Sequence, residues 1–509
     1  MAAKGIIKSV FILTTANIIN RILGFGYRIY MSNALGPEGM GMYQLIMPLY
    51  SLAWSISCSG FTTTVSKLVS GEKARGNHGN MGRILKQAIA ITTALGMLLN
   101  VILFLTADIV AVAMFRDERL SLALKILSLS FPFMAAGSCI RGYFMGLQET
   151  MVPAVSQVFE QCVRMIVVYL LSAYFMHRGL AYACAAAVCG IFLGEILSFV
   201  FVVLAYKGFK IKRKFNKPPT ISSGKALNML LIMAAPLTFN RITGSLLATF
   251  ENMMLPRKLV AFGMSNSQVI SEFGKISGMA MPLIQFPSAL LVSLSMSLVP
   301  AVSQALTMNN YTKIKNTVSK VMLFTTITGI GASCIFIIFS HELGEIIYNQ
   351  SIGYILTLLG IMCPFIYMNM TLSGILNGLG EQVFIFRNSL ISSCISIGFI
   401  MIAVPAFGTE GYILGSFCAL VSICTLSLNK IRKSTDIDIK IMDWFIKPAL
   451  SATLCILIMK PVKPIIFGMF INAAALIACI ALTGLLYMAL IMATGAFSEA
   501  DMKEILRRK

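Results

Sequence analysis

The sequence predicts an all-α integral membrane protein: fourteen transmembrane helices, arranged as two pseudo-symmetric six-helix lobes followed by two C-terminal helices. Three observations carry this expectation. The chain is 57% hydrophobic and 12% charged over 509 residues, with a mean hydropathy of +0.83, a balance that excludes a soluble globule. Apolar stretches of about 20 residues, the length that crosses a bilayer core, recur from end to end. Segments of the second half echo segments of the first.

Taken in order, the apolar stretches lie near 6–33, 40–66, 84–106, 121–146, 152–176 and 180–206, then 226–254, 272–304, 317–339, 353–378, 383–405 and 410–429, and last 444–461 and 464–492. They divide the chain into a first lobe (1–206), a basic linker (207–225), a second lobe (226–429), a basic loop (430–443), the C-terminal pair (444–492) and a tail (493–509). The first stretch is too long for a signal-peptide core and is interrupted by Arg21, so it reads as an uncleaved helix. An even number of spans puts both termini on one side. The 41 Lys and Arg residues crowd the termini and the connections on that side, which makes it the cytoplasmic one. The longest basic run, Lys207 to Pro219, fits an anchor on anionic headgroups. A net charge of +21 spread over short connections, with no basic patch interleaved with aromatics, does not point to nucleic acid.

The repeat is clearest between Phe131–Glu149 and Cys363–Glu381, which align without gaps: Pro132 with Pro364, Gly142 with Gly374, Gly146 with Gly378, Leu147 with Leu379. Asn20, Arg21 and Gly24 likewise echo Asn240, Arg241 and Gly244. Six spans per half make the repeats parallel, with a substrate site expected between them.

Charges inside spans are costly and mark function or internal pairing. Asn17, Arg21, Gly24 and Arg28 fall on one helical face. Two guanidinium groups on such a face suit a wet cavity for an anionic, phosphate-bearing ligand, because arginine forks onto phosphate oxygens; alternatively Arg28 snorkels to the interface. Arg241 is expected at matched depth across the cleft, with Arg257 as a further cavity cation or an interfacial anchor. Glu160 and Arg164, four apart, read as a local ion pair. Glu195 has no basic neighbour in sequence and is a candidate coupling carboxylate; Asn17 and Asn240 are candidate cavity lining, and Glu251 a counter-charge. The twelve cysteines and three histidines show no metal or disulfide spacing. The sequence lacks a phosphate-cradling G-x-x-x-x-G-K-[ST] and any triad or paired-carboxylate pattern, so an enzyme is not expected, and no cofactor is.

The stretch N-R-I-L-G-F-G-Y-R-I-Y-M-S-N-A-L-G-P-E-G-M-G-M-Y-Q-L (Asn20 to Leu45), followed by P-L-Y-S-L, resembles the polysaccharide flippases of the multidrug/oligosaccharidyl-lipid/polysaccharide exporter superfamily. The resemblance extends over nearly the whole chain. It implies an alternating-access fold without ATPase activity that moves undecaprenyl-pyrophosphate-linked saccharides; an inside-negative membrane potential favours outward movement of such an anion, and coupling to Na+ or H+ stays open. In the sporulation branch it implies a peptidoglycan precursor for the spore cortex and residence in the membrane around the forespore. It also implies a monomer, contacts with membrane lipids and with cell-wall synthases, a diphosphate site at Arg21, Arg28 and Arg241, and a lipid-tail groove on the last two helices. The second span departs from lipid II flippases in carrying no central arginine. Two other functions stay open on the residues alone: a multidrug antiporter, which would want cavity carboxylates, and a non-transporting scaffold for cell-wall enzymes.

Overall fold

In a computed structural model the described residues are 2–213, 218–438, 440–469 and 472–495; they form helices and turns, with no strand. Two compact units are present, Met1–Gly274 and Lys275–Lys509.

The first unit contains α1 (Ala2–Trp54), α2 (Gly60–Ala74), α3 (His78–Phe115), α4 (Ser121–Leu129), α5 (Phe131–Gly146), α6 (Met151–Phe175), α7 (Leu180–Arg213), α8 (Ser223–Ala261) and α9 (Asn266–Phe273). The stretches expected at 6–33 and 40–66 are not separated by a loop. They form one helical run broken at Gly36 alone (φ 66°, ψ −178°), and a π-helical turn, Ser55–Ser59, carries the chain on into α2. A side chain at Gly36 would be strained in this left-handed conformation, which explains the glycine of the G-P-E-G-x-G motif. The rest of the motif is fixed around it. Glu38 accepts from Arg119 Nη2 at 2.8 Å, and Arg119 is also paired with Asp117 at 2.7 Å. A Cβ on Gly41 would collide with the Ile270 carbonyl of α9.

The second unit contains α10 (Met281–Gln285), α11 (Ala289–Thr307), α12 (Tyr311–Ile338), α13 (Ser340–Tyr348), α14 (Gly353–Ile361), α15 (Cys363–Gly378), α16 (Gln382–Ile402), α17 (Val404–Thr435), α18 (Lys447–Met469) and α19 (Asn472–Ala493). Among the described residues eleven helices are long and apolar enough to cross a membrane, or twelve if the bent pair α14–α15 is one span. The α1 run and its continuation fall outside that set.

Each unit has its own apolar core, one built on Phe61, Leu85, Tyr143 and Phe144, the other on Met322, Leu372, Ile375 and Trp444. The cores repeat one design. The prolines aligned in sequence sit at matching breaks: α4 gives way to α5 at Phe131-Pro132, and α14 bends by 47° into α15 at Cys363-Pro364. A glycine on the neighbouring long helix lets each break approach. A Cβ on Gly96 would lie 3.0 Å from Pro132 Cα, and one on Gly329 would lie 2.7 Å from Pro364 Cα. One turn before these glycines, Thr92 meets Cys139 at 3.3 Å and Thr325 meets Thr371 at 2.9 Å. The G-x-x-x-G pairs serve backbone packing, as their spacing suggests: Gly142 faces the Thr62 carbonyl and Gly374 the Ser295 carbonyl, at 2.6 and 2.9 Å from an added Cβ. The helix starts match as well, with α3 and α12 beginning at Asn77 (φ −89°, ψ 66°) and Asn310 (φ −91°, ψ 73°), whereas α3 closes on left-handed Arg116 and α12 passes through Phe339 (φ −112°) into α13, which closes on left-handed Asn349.

The basic linker ends in a defined clasp. Asn80 of α3 accepts from the Thr220 and Ile221 amides through Oδ1 (2.8 and 3.2 Å) and donates to Glu72 Oε2 at 2.7 Å. Arg83 donates to the Ile221 carbonyl at 2.6 Å. Burial raises the Glu72 carboxyl, but donors from Asn80, Asn77 and Arg75 outweigh it and hold the group below its ordinary 4.5.

Two outcomes follow. Gly96→Ala and Gly329→Ala each cost about 1–3 kcal/mol through overpacking against a proline break, read from the unfolding midpoint in detergent. Gly244→Ala, with open space around it, leaves the midpoint unchanged or raised. Because the folded-state Glu72 is depressed, its stabilisation is complete above 4.5 and disappears as pH falls through the lower folded value. Glu72→Gln therefore lowers stability at pH 7, and the gap from wild type closes in acid.

Candidate functional site

The spacing that puts Asn17, Arg21 and Arg28 on one face of α1 is realised: all three are exposed, Asn20 and Gly24 beside them are half-buried, and neither arginine has a carboxylate partner among the described residues. A Cβ on Gly24 would come 4.0 Å from Gln161 Nε2 of α6, so the glycine leaves the face low where α1 meets α6. The buried Oδ1 of Asn20 lacks a hydrogen-bond partner.

Arg241 and Asn240 of α8 are exposed as well. The Arg241 guanidinium carbon lies 5.6 Å from the ring centre of Trp54, a cation–π geometry that orients the planar group while leaving its N–H donors free. Trp54 is supplied by the last residue of α1, so the run that carries Arg21 also supports Arg241. Glu251 is half-buried farther along α8. Arg257 donates to the Ala113 main-chain carbonyl at the end of α3. Beside it Asn266 donates to Arg116 O, at 2.5 Å. Arg257 thus sits in a contact that ties helix ends together.

A second cluster lies inside the helix bundle. Glu160 and Arg164 pair at 2.8 Å, as their spacing predicts. Arg141 of α5 joins them, 3.8 Å from Glu160 Oε2 and 3.3 Å from Ser198 Oγ. Glu195 of α7, 3% exposed, accepts from Tyr50 OH at 2.5 Å, with Glu160, Arg141 and Arg164 in electrostatic reach. Glu195 has no basic neighbour in sequence, and the structure provides two from other helices. The cluster thus gathers two arginines and two carboxyl groups from α5, α6 and α7. Sequence reasoning missed the parts played by Arg141 and Tyr50. The only available signal was that each is a polar group inside an apolar run.

The arrangement offers two chemistries. The exposed arginines can hold an anion with oxygen acceptors, and the buried cluster can hold or exchange a proton at Glu195. Neither set resembles a hydrolytic or redox centre.

Comparison with known proteins now places the chain. The model of the family described as "Polysaccharide biosynthesis protein" matches residues 6–306, more than half of the sequence. The chain belongs to the polysaccharide biosynthesis protein family. A second family model, MatE, matches residues 276–402. Stage V sporulation protein B of Bacillus subtilis is 28% identical over 514 residues, covering 99% of this chain and 98% of the relative. The lipid II flippase MurJ of the same organism is 28% identical over 63% of this chain and 62% of its own length. Among solved structures, lipid II flippase MurJ in an inward closed conformation superposes with a TM-score of 0.74 at 15% identity, covering 95% of this chain and 98% of that one. An inward-facing multidrug resistance MATE family transporter gives 0.65 at 14% identity, over 82% and 94%. These superpositions establish the fold of this family member, a multi-pass membrane protein.

Removing one member of the buried cluster strands the others. Glu160→Gln leaves Arg141 and Arg164 short of a counter-charge and costs about 3–5 kcal/mol, seen as a lowered unfolding midpoint. Gln161→Glu, which adds a carboxylate one residue away, does not restore it.

Proposed function

We propose that this protein is an alternating-access flippase that exports a saccharide carried on undecaprenyl pyrophosphate, a peptidoglycan precursor used for the spore cortex. The observation that carries the reading is the pair of exposed arginines on one face of α1, neither with a carboxylate partner among the described residues, with a third exposed guanidinium at Arg241 in the same unit. A charge that costs about 2.5–3.5 kcal/mol to place in a bilayer is retained where it meets water or an anion. A diphosphate supplies two acceptor groups spaced for bidentate guanidinium contacts. Relatives named stage V sporulation protein B and lipid II flippase support the substrate class and the sporulation setting.

Under this reading the protein has fourteen spans, as two lobes and an appended pair, both termini cytoplasmic, and acts as a monomer in the membrane around the forespore, where cell-wall synthases would receive its product. Arg21, Arg28 and Arg241 hold the diphosphate, Arg257 borders the cavity, and Asn17 and Asn240 line it. With the inside negative, outward movement of an anion gains about 2.3 kcal/mol per charge per 100 mV, so the membrane potential alone drives export. Coupling to Na+ or H+ would place the ion at Glu195, with Glu251 as the other carboxylate. The MatE match over 276–402 favours a multidrug antiporter as the second reading. An organic-cation site would need carboxylates facing the cleft; of the two candidates Glu195 is buried against Tyr50 and Glu251 is half-buried.

In a spore-former lacking its own copy, Arg21→Ala and Arg241→Ala abolish cortex formation at matched membrane levels, and Arg21→Lys restores part of it. Normal cortex with all three variants would sink the arginine cavity and leave the scaffold reading.

A further inference from the structure

Where the Arg241 guanidinium stands is set by the last turns of α1. There α8 lies antiparallel to the run: Thr249 Oγ1 donates to the Pro48 carbonyl at 3.4 Å, Ser245 Oγ meets Ser55 Oγ at 2.6 Å, and Arg241 comes over the Trp54 ring. The π-helical turn Ser55–Ser59 begins directly after Trp54, a form that is rare and found mostly at functional positions in helices. Trp54 is therefore the last side chain carried by the regular helix, and its direction is inherited from the turn before it. That turn holds Tyr50, at i, i+4 from Trp54 and on the same face. Tyr50 OH donates to Glu195 Oε1 at 2.5 Å. Glu195 is 3% exposed and stands among Arg141, Glu160 and Arg164 of α5 and α6. A buried, hydrogen-bonded charge network has few alternative geometries, so the phenol is tied to a fixed point of the bundle.

The contact at the other end of this bracket suits a ligand better than it suits the fold. An indole face orients a guanidinium without neutralising it. Arg241 is exposed and has no carboxylate partner among the described residues, so its charge stays available. An arginine needed only as an anchor does better on a main-chain carbonyl, which is how Arg257 is held farther along the same helix. We propose that Tyr50 and Trp54 are positioning residues for the anion site: the buried cluster holds Tyr50, Tyr50 sets Trp54, and Trp54 presents Arg241 to a diphosphate. The proposal rests on the reading of Arg241 as a diphosphate ligand, and it makes that contact depend on a carboxyl buried in the bundle.

The test uses the full chain in nanodiscs of zwitterionic lipid, with binding of radiolabelled inorganic diphosphate measured by equilibrium dialysis against empty nanodiscs. Tyr50→Phe, which removes one hydroxyl, and Trp54→Phe, which keeps an aromatic ring but a weaker cation site, each weaken binding about fivefold. In an Arg241→Ala background both losses vanish to within about a factor of two, whereas in an Arg21→Ala background they persist in full, because Arg21 is not part of the bracket. Tryptophan replaced by fluorotryptophan supplies a second reading, since the chain has two tryptophans, Trp54 and Trp444. In fluorine NMR the Trp54 resonance moves in Tyr50→Phe, and that of Trp444, buried in the core of the second unit, stays in place and reports an intact fold. If Tyr50→Phe disturbs the Trp444 resonance, the Trp54→Phe cycle decides alone. Losses that persist in full in the Arg241→Ala background, or binding unchanged by both substitutions, overturn the bracket while leaving Arg241 as a ligand. Wild-type binding no greater than that of empty nanodiscs overturns the diphosphate site itself, and the bracket with it.

Discussion

An ionised side chain in an apolar surrounding has to meet its counter-charge, water or a ligand, because no other state is cheap enough to persist. That constraint sorts the arginines of the first unit. Arg141 and Arg164 meet Glu160 and, at longer reach, Glu195, and the bundle closes around them. Arg21 and Arg28 meet no carboxylate among the described residues and stay exposed. The paired set holds α5, α6 and α7 in register; the unpaired set faces outward from α1 and is available to something else.

A second constraint shapes the scaffold around those charges. Backbone groups within a bilayer must be satisfied by the protein, so a helix can break only where neighbours cover the break. The two proline breaks obey this with the same device, a glycine on the adjacent long helix that lets a backbone lie against Pro132 or Pro364. Matching backbone dihedrals at Asn77 and Asn310, and matching hydroxyl contacts at Thr92 and Thr325, show how far the repeated geometry extends beyond the few residues still identical between the halves.

Composition and apolar run length made the helical membrane class legible, and the aligned prolines and glycines exposed the repeat. The i, i+4 pair at Glu160 and Arg164 could be read from spacing alone because both partners share a helix. What spacing cannot give is which helix stands opposite. Tyr50 reaches Glu195 across 145 positions of sequence, and Arg141 reaches Glu160 from another helix, so the cluster was visible only as isolated polar residues. The expected loop between the first two spans also failed to form. The spans expected at 6–33 and 40–66 left room for a connection, yet the single residue Gly36, with its positive φ, suffices to redirect the helix.

That economy at Gly36 has a mechanical side. Two helices joined through one residue have no slack between them, so the joint behaves as a hinge pin and the limb before it as a lever. Arg21 lies fifteen residues upstream, about 22 Å along the helix axis. A change of about 10° at the pin would sweep its guanidinium group through about 4 Å at that radius. The limb after the pin is clamped, by Arg119 on Glu38 and by Ile270 against Gly41. With the downstream limb held, any change at the pin is expressed at the far end of the upstream one, where Arg21 stands.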